Sequence, residues 1–172
     1  MDDTNIDRRG LLLAPLLAAL PLTGGSAPAF GAGVDQVGTI TRLPEQITWE
    51  TPNGLPPNSL ETAPLYGKTT EPGLYFTLVR WHPGYMSAPR WYATDRLCVV
   101  ISGTWWVASG EDFVPEATVP MPAGSFVRRV ARTPHYDGVK ADGKEPAVIA
   151  ICGIGPIPVM RTDPSQPAWR KV

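Results

Sequence analysis

The sequence predicts an all-β protein, a barrel or sandwich of short strands, and three observations predict it. The 172 residues include 20 Pro and 17 Gly, enough to punctuate nearly every segment and to exclude a helical bundle. The apolar runs are short, and each is bounded by Pro or Gly. No ten-residue stretch keeps a helical period, and many short strands at regular intervals are the pattern of an all-β domain. Six Trp, five Tyr and four Phe supply a core, so the chain is not compositionally disordered. The length fits one ordinary domain. A formal net charge of −1, with 18% charged residues, argues against nucleic acid or a polyanionic surface as the main partner.

Residues 1–29 read as an export signal rather than as part of the fold. Arg8-Arg9 precedes the modest apolar run Leu11–Leu22, which Pro15 and Pro21 interrupt, and Ala27-Pro28-Ala29 offers a small-x-small cleavage site. The run is too short for a membrane anchor, so no stable anchor is expected after cleavage. The paired arginines resemble a twin-arginine signal, although Asp2, Asp3 and Asp7 are unusual in such a region. A Leu/Ala-rich tail on a cytoplasmic protein is the alternative. Cleavage leaves 13 basic and 13 acidic residues and no formal charge. Export to the periplasm or beyond permits a disulfide. Cys98 and Cys152 nevertheless both sit inside apolar runs, as buried free thiols do.

Residues 30–72, rich in Pro, Gly, Asn and Thr, read as an N-terminal arm with one short strand at Gln46–Glu50. From Pro72-Gly73 the pattern changes. Leu74–Trp81 alternates as an extended strand, and Leu97–Ile101 is a short β-branched run. Ser102-Gly103 and then Thr104–Ala108 follow, which reads as a hairpin pairing Val100 with Trp105 and Val99 with Trp106. Further strands are expected at Thr118–Met121, Ser125–Val130 and Ala147–Ile154, and the Pro-rich tail 156–172 reads as an arm or loose end.

The spacing of certain residues carries a resemblance. Gly84 is followed, after five residues, by Arg90-Trp91-Tyr92, then after three by Arg96, and after six more by Gly103. Gly124 stands eleven residues before His135, within Thr133-Pro134-His135. This register resembles the cupin superfamily, in particular its small single-domain bacterial members, over about residues 73–155. The resemblance implies an antiparallel jelly-roll barrel, in agreement with the strand reading. It also implies a metal site of three His and one Glu, and there this chain departs. The corresponding positions hold Arg90, Tyr92, Arg96 and His135, so three of the four ligands are replaced. A guanidinium cannot ligate a cation, and one His with one Tyr falls short of the usual three protein ligands. No metal or other cofactor is therefore expected. Divalent metal or haem iron held by His135 and Tyr92 is the alternative.

The family register turns these four side chains into the barrel mouth. There they would form a cationic, hydrogen-bond-donating pocket for a small carboxylate, phosphate or phenolate, gripped by arginine. A buried Arg needs an anion, and Asp95 and Asp137 are the nearest internal candidates. Period-2 alternation places Arg96, Cys98, Val100 and Trp105 on one inward face. Trp105 would narrow the pocket or stack on a ligand, and Trp106 would face outward. Cys98 beside two cations is a candidate reactive thiol. Arg128 and Arg129 point to opposite faces, one of them toward the pocket, and His82 reads as a surface residue. The expected function is binding of a small anionic or aromatic molecule through Arg90, Tyr92, Arg96, Trp105 and His135. One alternative is an isomerase, lyase or oxygenase-like enzyme with His135 as acid/base. Another is a structural module with a filled pocket, forming a homodimer through sheet edges and the arm.

Overall fold

The computed structural model describes residues 38–172. The chain divides into residues 1–41 and 42–172. Of the first unit only 38–41 are described, and they hold no regular element. The export segment 1–29 and the first residues of the arm lie outside the described residues.

Twelve strands follow in order: β1 (Leu60–Tyr66), β2 (Gly73–Trp81), β3 (Tyr85–Ser87), β4 (Arg90–Trp91), β5 (Arg96–Ser102), β6 (Thr104–Ser109), β7 (Val119–Pro122), β8 (Phe126–Arg129), β9 (His135–Val139), β10 (Ala147–Gly155), β11 (Met160–Arg161) and β12 (Trp169–Lys171). Two short 3-10 turns, Pro44–Gln46 and Pro115–Ala117, are the only helical pieces among the described residues. The first sheet has the order β1-β2-β10-β5-β8. In the second, β9 is central: it pairs with β6 on one side and with β3 and β4 on the other. β7 flanks β6, while β11 and β12 flank β4 and β3. Every pairing is antiparallel, and the two sheets form the layers of a jelly roll.

Alternation explains how the layers meet. On β2, Tyr75, Thr77, Val79 and Trp81 are buried while the residues between them are not. On β5 the same holds for Arg96, Cys98 and Val100. The apolar ones among these, Tyr75, Val79, Trp81, Cys98 and Val100, pack with Ile149 and Ile151 of β10 against Trp105, Val107 and Val139 of the second sheet. Arg96, Cys98, Val100 and Trp105 thus share the interior as the period-2 pattern requires.

Three sequence expectations are corrected. The strand placed at Gln46–Glu50 is only an isolated bridge from Glu50 to Thr62, and the true strand of that region is β1, the neighbour of β2. β5 and β6 form no hairpin: β5 pairs with β10 and β8, and β6 with β7 and β9. Ser102-Gly103 is instead the corner where the chain passes from one sheet to the other. A Gly-bearing two-residue break has the same local signature in a hairpin and in a corner, and only the partner strands distinguish them. The tail 156–172 is not a loose end, because β11 and β12 extend the second sheet. Cys98 and Cys152 are free thiols, as their apolar runs suggest, with Cys98 buried and Cys152 half-buried. They lie on adjacent strands with Cys98 opposite Ile151 and Cys152 opposite Leu97, so they face opposite sides of the sheet.

The corner depends on Gly103. Its φ is +70°, and an added Cβ would stand 2.4 Å from the carbonyl oxygen of Pro146. Gly124 also has a positive φ, +87°, but opens onto free space. Gly124→Ala is expected to cost only left-handed strain, about 1 kcal/mol. Gly103→Ala adds a backbone clash and is expected to cost about 3 kcal/mol or more. Urea unfolding midpoints of the two variants measure the difference.

Candidate binding site

A cavity of about 680 Å³ opens between the sheets, lined by residues of both. Its walls include Tyr75, Trp81, Tyr92, Trp105, Ile149 and Ile151, so they are largely apolar and aromatic. Set into them are Arg90, Arg96 and Arg129, facing a single carboxylate, Asp137, and Lys68 and Arg161 also belong to the lining.

Each charged group arrives by strand alternation. Asp137 is on the inward face of β9, two residues from His135 and from Val139. Arg90 begins β4 and stands opposite His135 in the ladder. Arg96 begins β5 and Arg129 ends β8, and the two are direct cross-strand partners. Like charges directly opposite each other destabilise a sheet, so the pair needs a counter-charge.

Asp137 supplies part of it. Nη2 of Arg90 donates to both carboxylate oxygens, at 3.2 and 3.1 Å, and Nη2 of Arg129 donates to Oδ2 at 3.3 Å. The hydroxyl of Ser87 accepts from the Asp137 backbone N–H at 3.1 Å and also from Nη1 of Arg90. Burial of Asp137 opposes its ionisation, but Arg90 and Arg129 outweigh burial and hold its carboxyl far below the usual range. Arg129 further donates to the carbonyl of Ala108 at 3.3 Å.

Arg96 is left over. It is only 8% exposed, it forms no ion pair among the described residues, and its Nε has no hydrogen-bond partner. Its guanidinium carbon lies 4.2 Å from the centre of the Tyr92 ring. The Nε of Arg129, the indole N–H of Trp105 and the hydroxyl of Tyr75 are likewise buried without partners. Four unused polar groups therefore surround one cavity, each costing desolvation energy as it stands.

Tyr92 sits between two cations. Nε of Arg90 donates to its hydroxyl oxygen at 3.0 Å. Burial opposes ionisation of the phenol, but Arg90 and Arg96 prevail and hold its pKa below the ordinary value. Cys98 behaves oppositely: burial pushes its thiol up to about 11, against the field of Arg96. The expectation of a reactive thiol is thereby corrected, since a thiol so raised is protonated at neutral pH.

The structure brings Arg90, Tyr92, Arg96 and Trp105 to the cavity wall. His135 is buried beside them, its ring 5.7 Å from that of Tyr92, but it is not part of the cavity lining. Its Nδ1 donates to the carbonyl of Thr133 at 2.9 Å, which leaves Nε2 as an unpartnered acceptor. Burial, followed by Arg90, lowers its pKa to about 3. Arg129 proves to be the inward member of the Arg128–Arg129 pair, while Arg128 bonds Asp95 at the surface. Asp95 therefore does not neutralise the pocket. Sequence reading missed Tyr75 and Ser87. Tyr75 looks like any core aromatic on an alternating strand, and Ser87 stands in a stretch with no pattern.

These residues do not fit a divalent cation. Arg90 and Arg96 carry permanent positive charge, Asp137 is bound by two guanidiniums, and the Tyr92 oxygen already accepts from Arg90. No group of three or more His, Cys, Asp or Glu side chains suited to a metal occurs among the described residues. An iron in the cavity would not meet His135, which lies outside its lining.

The electrostatics set the acid response. A histidine depressed from about 6.5 to about 3 binds more protons when unfolded. Its stabilising contribution is complete above pH 6.5 and falls as the pH drops toward 3, by up to about 1.4 kcal/mol per pH unit. Asp137, also depressed, adds its loss only below about pH 4. Melting temperature is expected to decline already between pH 6.5 and 4.5, and His135→Gln is expected to flatten that part of the curve. Asp137→Asn would leave three guanidiniums without an internal anion and is expected to cost about 3–5 kcal/mol, read from urea unfolding at pH 7.

No protein-family model matches the chain, and no curated protein matches it. Solved structures do. The polyketide cyclase RemF from Streptomyces resistomycificus is similar with a TM-score of 0.61 and 12% identity, over 76% of this chain and 90% of that one. A cupin-2 domain protein from Rhodospirillum rubrum is similar with a TM-score of 0.54 and 12% identity, over 74% and 82%. A sugar phosphate isomerase of the cupin superfamily from Silicibacter pomeroyi is similar with a TM-score of 0.54 and 16% identity, over 74% and 89%. With two sheets in jelly-roll order and these likenesses in shape, the chain has the cupin fold.

Proposed function

We propose that this cupin-fold protein binds a small organic anion with a flat apolar body, such as an aromatic carboxylate or a phenolate. The observation that carries the proposal is Arg96, a buried guanidinium without an ion pair among the described residues, set beside the cross-strand cation Arg129. An external anion would complete the charge balance that Asp137 leaves open. Arg96 and Arg129 would hold the anionic group by charge-assisted hydrogen bonds, each worth about 1.5–3 kcal/mol. Trp105, Tyr92 and Tyr75 would face the apolar body, with the Trp105 and Tyr75 donors available to its polar edge. The reading of residues 1–29 as an export signal makes the ligand one met outside the cytoplasm.

A second reading adds turnover and rests on Tyr92. A phenol that accepts from Arg90 and lies against Arg96 is placed for proton transfer at the cavity wall, and its lowered pKa suits that role. Tyr92 would replace His135 as the acid/base group, because His135 lies off the cavity lining. The neighbours of this shape include a cyclase and an isomerase, which is compatible with turnover without implying it here.

The test is a pair of isosteric probes. Benzoate is expected to raise the melting temperature of the protein, and benzamide, uncharged but of equal shape, is not. Arg96→Gln is expected to weaken benzoate binding about tenfold or more in isothermal titration. Equal response to both probes, or unchanged binding in Arg96→Gln, would overturn the proposal.

A further inference from the structure

The cavity has a second unmatched cation, and it belongs to the other sheet. The lining holds five positive side chains, Lys68, Arg90, Arg96, Arg129 and Arg161, against one carboxylate, Asp137. Arg90 and Arg129 share Asp137. Lys68 is exposed and pairs with Glu71 at 2.6 Å. Arg96 and Arg161 form no ion pair among the described residues.

Register gives Arg161 its direction. On β11 it stands directly opposite Arg90 of β4, and Arg90 stands directly opposite His135 of β9. Directly opposed residues share a face of the sheet, and on that face Asp137 lies two residues from His135. Period 2 thus turns Arg161 inward from the edge of its sheet. β11 is fastened to β4, because the N–H and the hydroxyl of Thr162 both donate to the carbonyl of Pro89, at 3.1 and 3.2 Å. Nη1 of Arg161 donates to the carbonyl of Gln166, which fixes the half-buried side chain without neutralising it. The nearest acidic residue in sequence, Asp163, is engaged by Ser165, whose N–H and hydroxyl donate to Oδ1 at 3.0 and 2.6 Å. β4 and β11 therefore repeat the arrangement of β5 and β8. Each pair of strands sets two arginines directly opposite each other, and in each only one of the two reaches Asp137. Such opposition is destabilising unless a counter-charge relieves it.

From these observations we infer that the ligand is a dianion, with one carboxylate or comparable group on Arg96, a second on Arg161, and the flat apolar body spanning the two. The inference rests on the anion-binding reading of the cavity and narrows its ligand class. Arg96 comes from the first sheet and Arg161 from the second, and sheets packed face to face lie about 10 Å apart. The two charges of the ligand therefore belong at opposite ends of its body rather than on adjacent atoms. Arg161 is in this account the residue that distinguishes a dianion from a monoanion of the same shape, through charge-assisted hydrogen bonds from the guanidinium donors that Gln166 leaves free.

Benzoate and terephthalate share a ring and differ by one carboxylate placed opposite the first. Isothermal titration of the full chain is expected to give terephthalate about tenfold the affinity of benzoate. Phthalate, whose carboxylates are adjacent, is expected to show no such gain. Arg161→Gln keeps a donor for the Gln166 carbonyl and is expected to bring terephthalate down to the affinity of benzoate. Lys171→Gln removes an exposed positive charge outside the lining and is expected to keep the tenfold ratio. Four results would overturn the inference: terephthalate no tighter than benzoate, an equal gain with phthalate, a gain that survives Arg161→Gln, or a gain lost equally in Lys171→Gln. Each of them leaves the anion-binding reading standing as long as benzoate binds. If neither benzoate nor terephthalate binds, that reading fails and the inference falls with it.

Discussion

The interior of this barrel is organised around an imbalance of charge. Three guanidiniums, from Arg90, Arg96 and Arg129, cluster about one carboxylate, Asp137, in a lining that also includes Arg161. Two of them share that carboxylate, and Arg90 also engages Tyr92 and Ser87. Arg96 stands against the Tyr92 ring and beside Arg129 without an anion among the described residues. Burying such a cation costs several kcal/mol unless something neutralises it. A fold built around it therefore depends on the Asp137 network for its own stability and retains attraction for an anion.

The architecture explains why this charge stays in one place. β9, the central strand of its sheet, carries Asp137 and fixes it from both sides through β6 and the β3–β4 segment. β5 and β8 bring Arg96 and Arg129 together by register, and a slip of one residue would turn both outward. The corner at Gly103 sends the chain from β5 to β6, which sets Trp105 over the same cavity and within 5.1 Å of the Arg129 guanidinium. Backbone pairing thus determines the electrostatics, and the walls contribute apolar area around it.

Much of this was legible in sequence where the signal is local. β2, β5, β6, β7, β8 and β10 follow from apolar runs closed by Pro or Gly, and the inward face Arg96-Cys98-Val100 follows from period 2. Partners were not legible. Ser102-Gly103 reads as a hairpin because the corner and the hairpin share their local chemistry. β9, with the sequence His-Tyr-Asp-Gly-Val, has no strand signature, and it is extended because neighbours bind it on both edges. β11 and β12 hide in a Pro-rich tail for the same reason. At the site, the spacing of Arg90, Tyr92 and Arg96 pointed to the wall, and Asp137 was one of two candidate counter-anions, but the choice of Asp137 over Asp95, the distance of His135 from the cavity lining and the idle groups of Tyr75 and Trp105 depend on three-dimensional placement.

The most direct test of the unbalanced interior is to identify what it carries. Protein purified under native conditions from the cells that produce it, alongside Arg96→Gln, would be denatured and the released small molecules identified by mass spectrometry. The account predicts an organic acid in near-equal ratio to the wild-type protein and its depletion from the variant. A neutral or cationic compound carried equally by both proteins would contradict it.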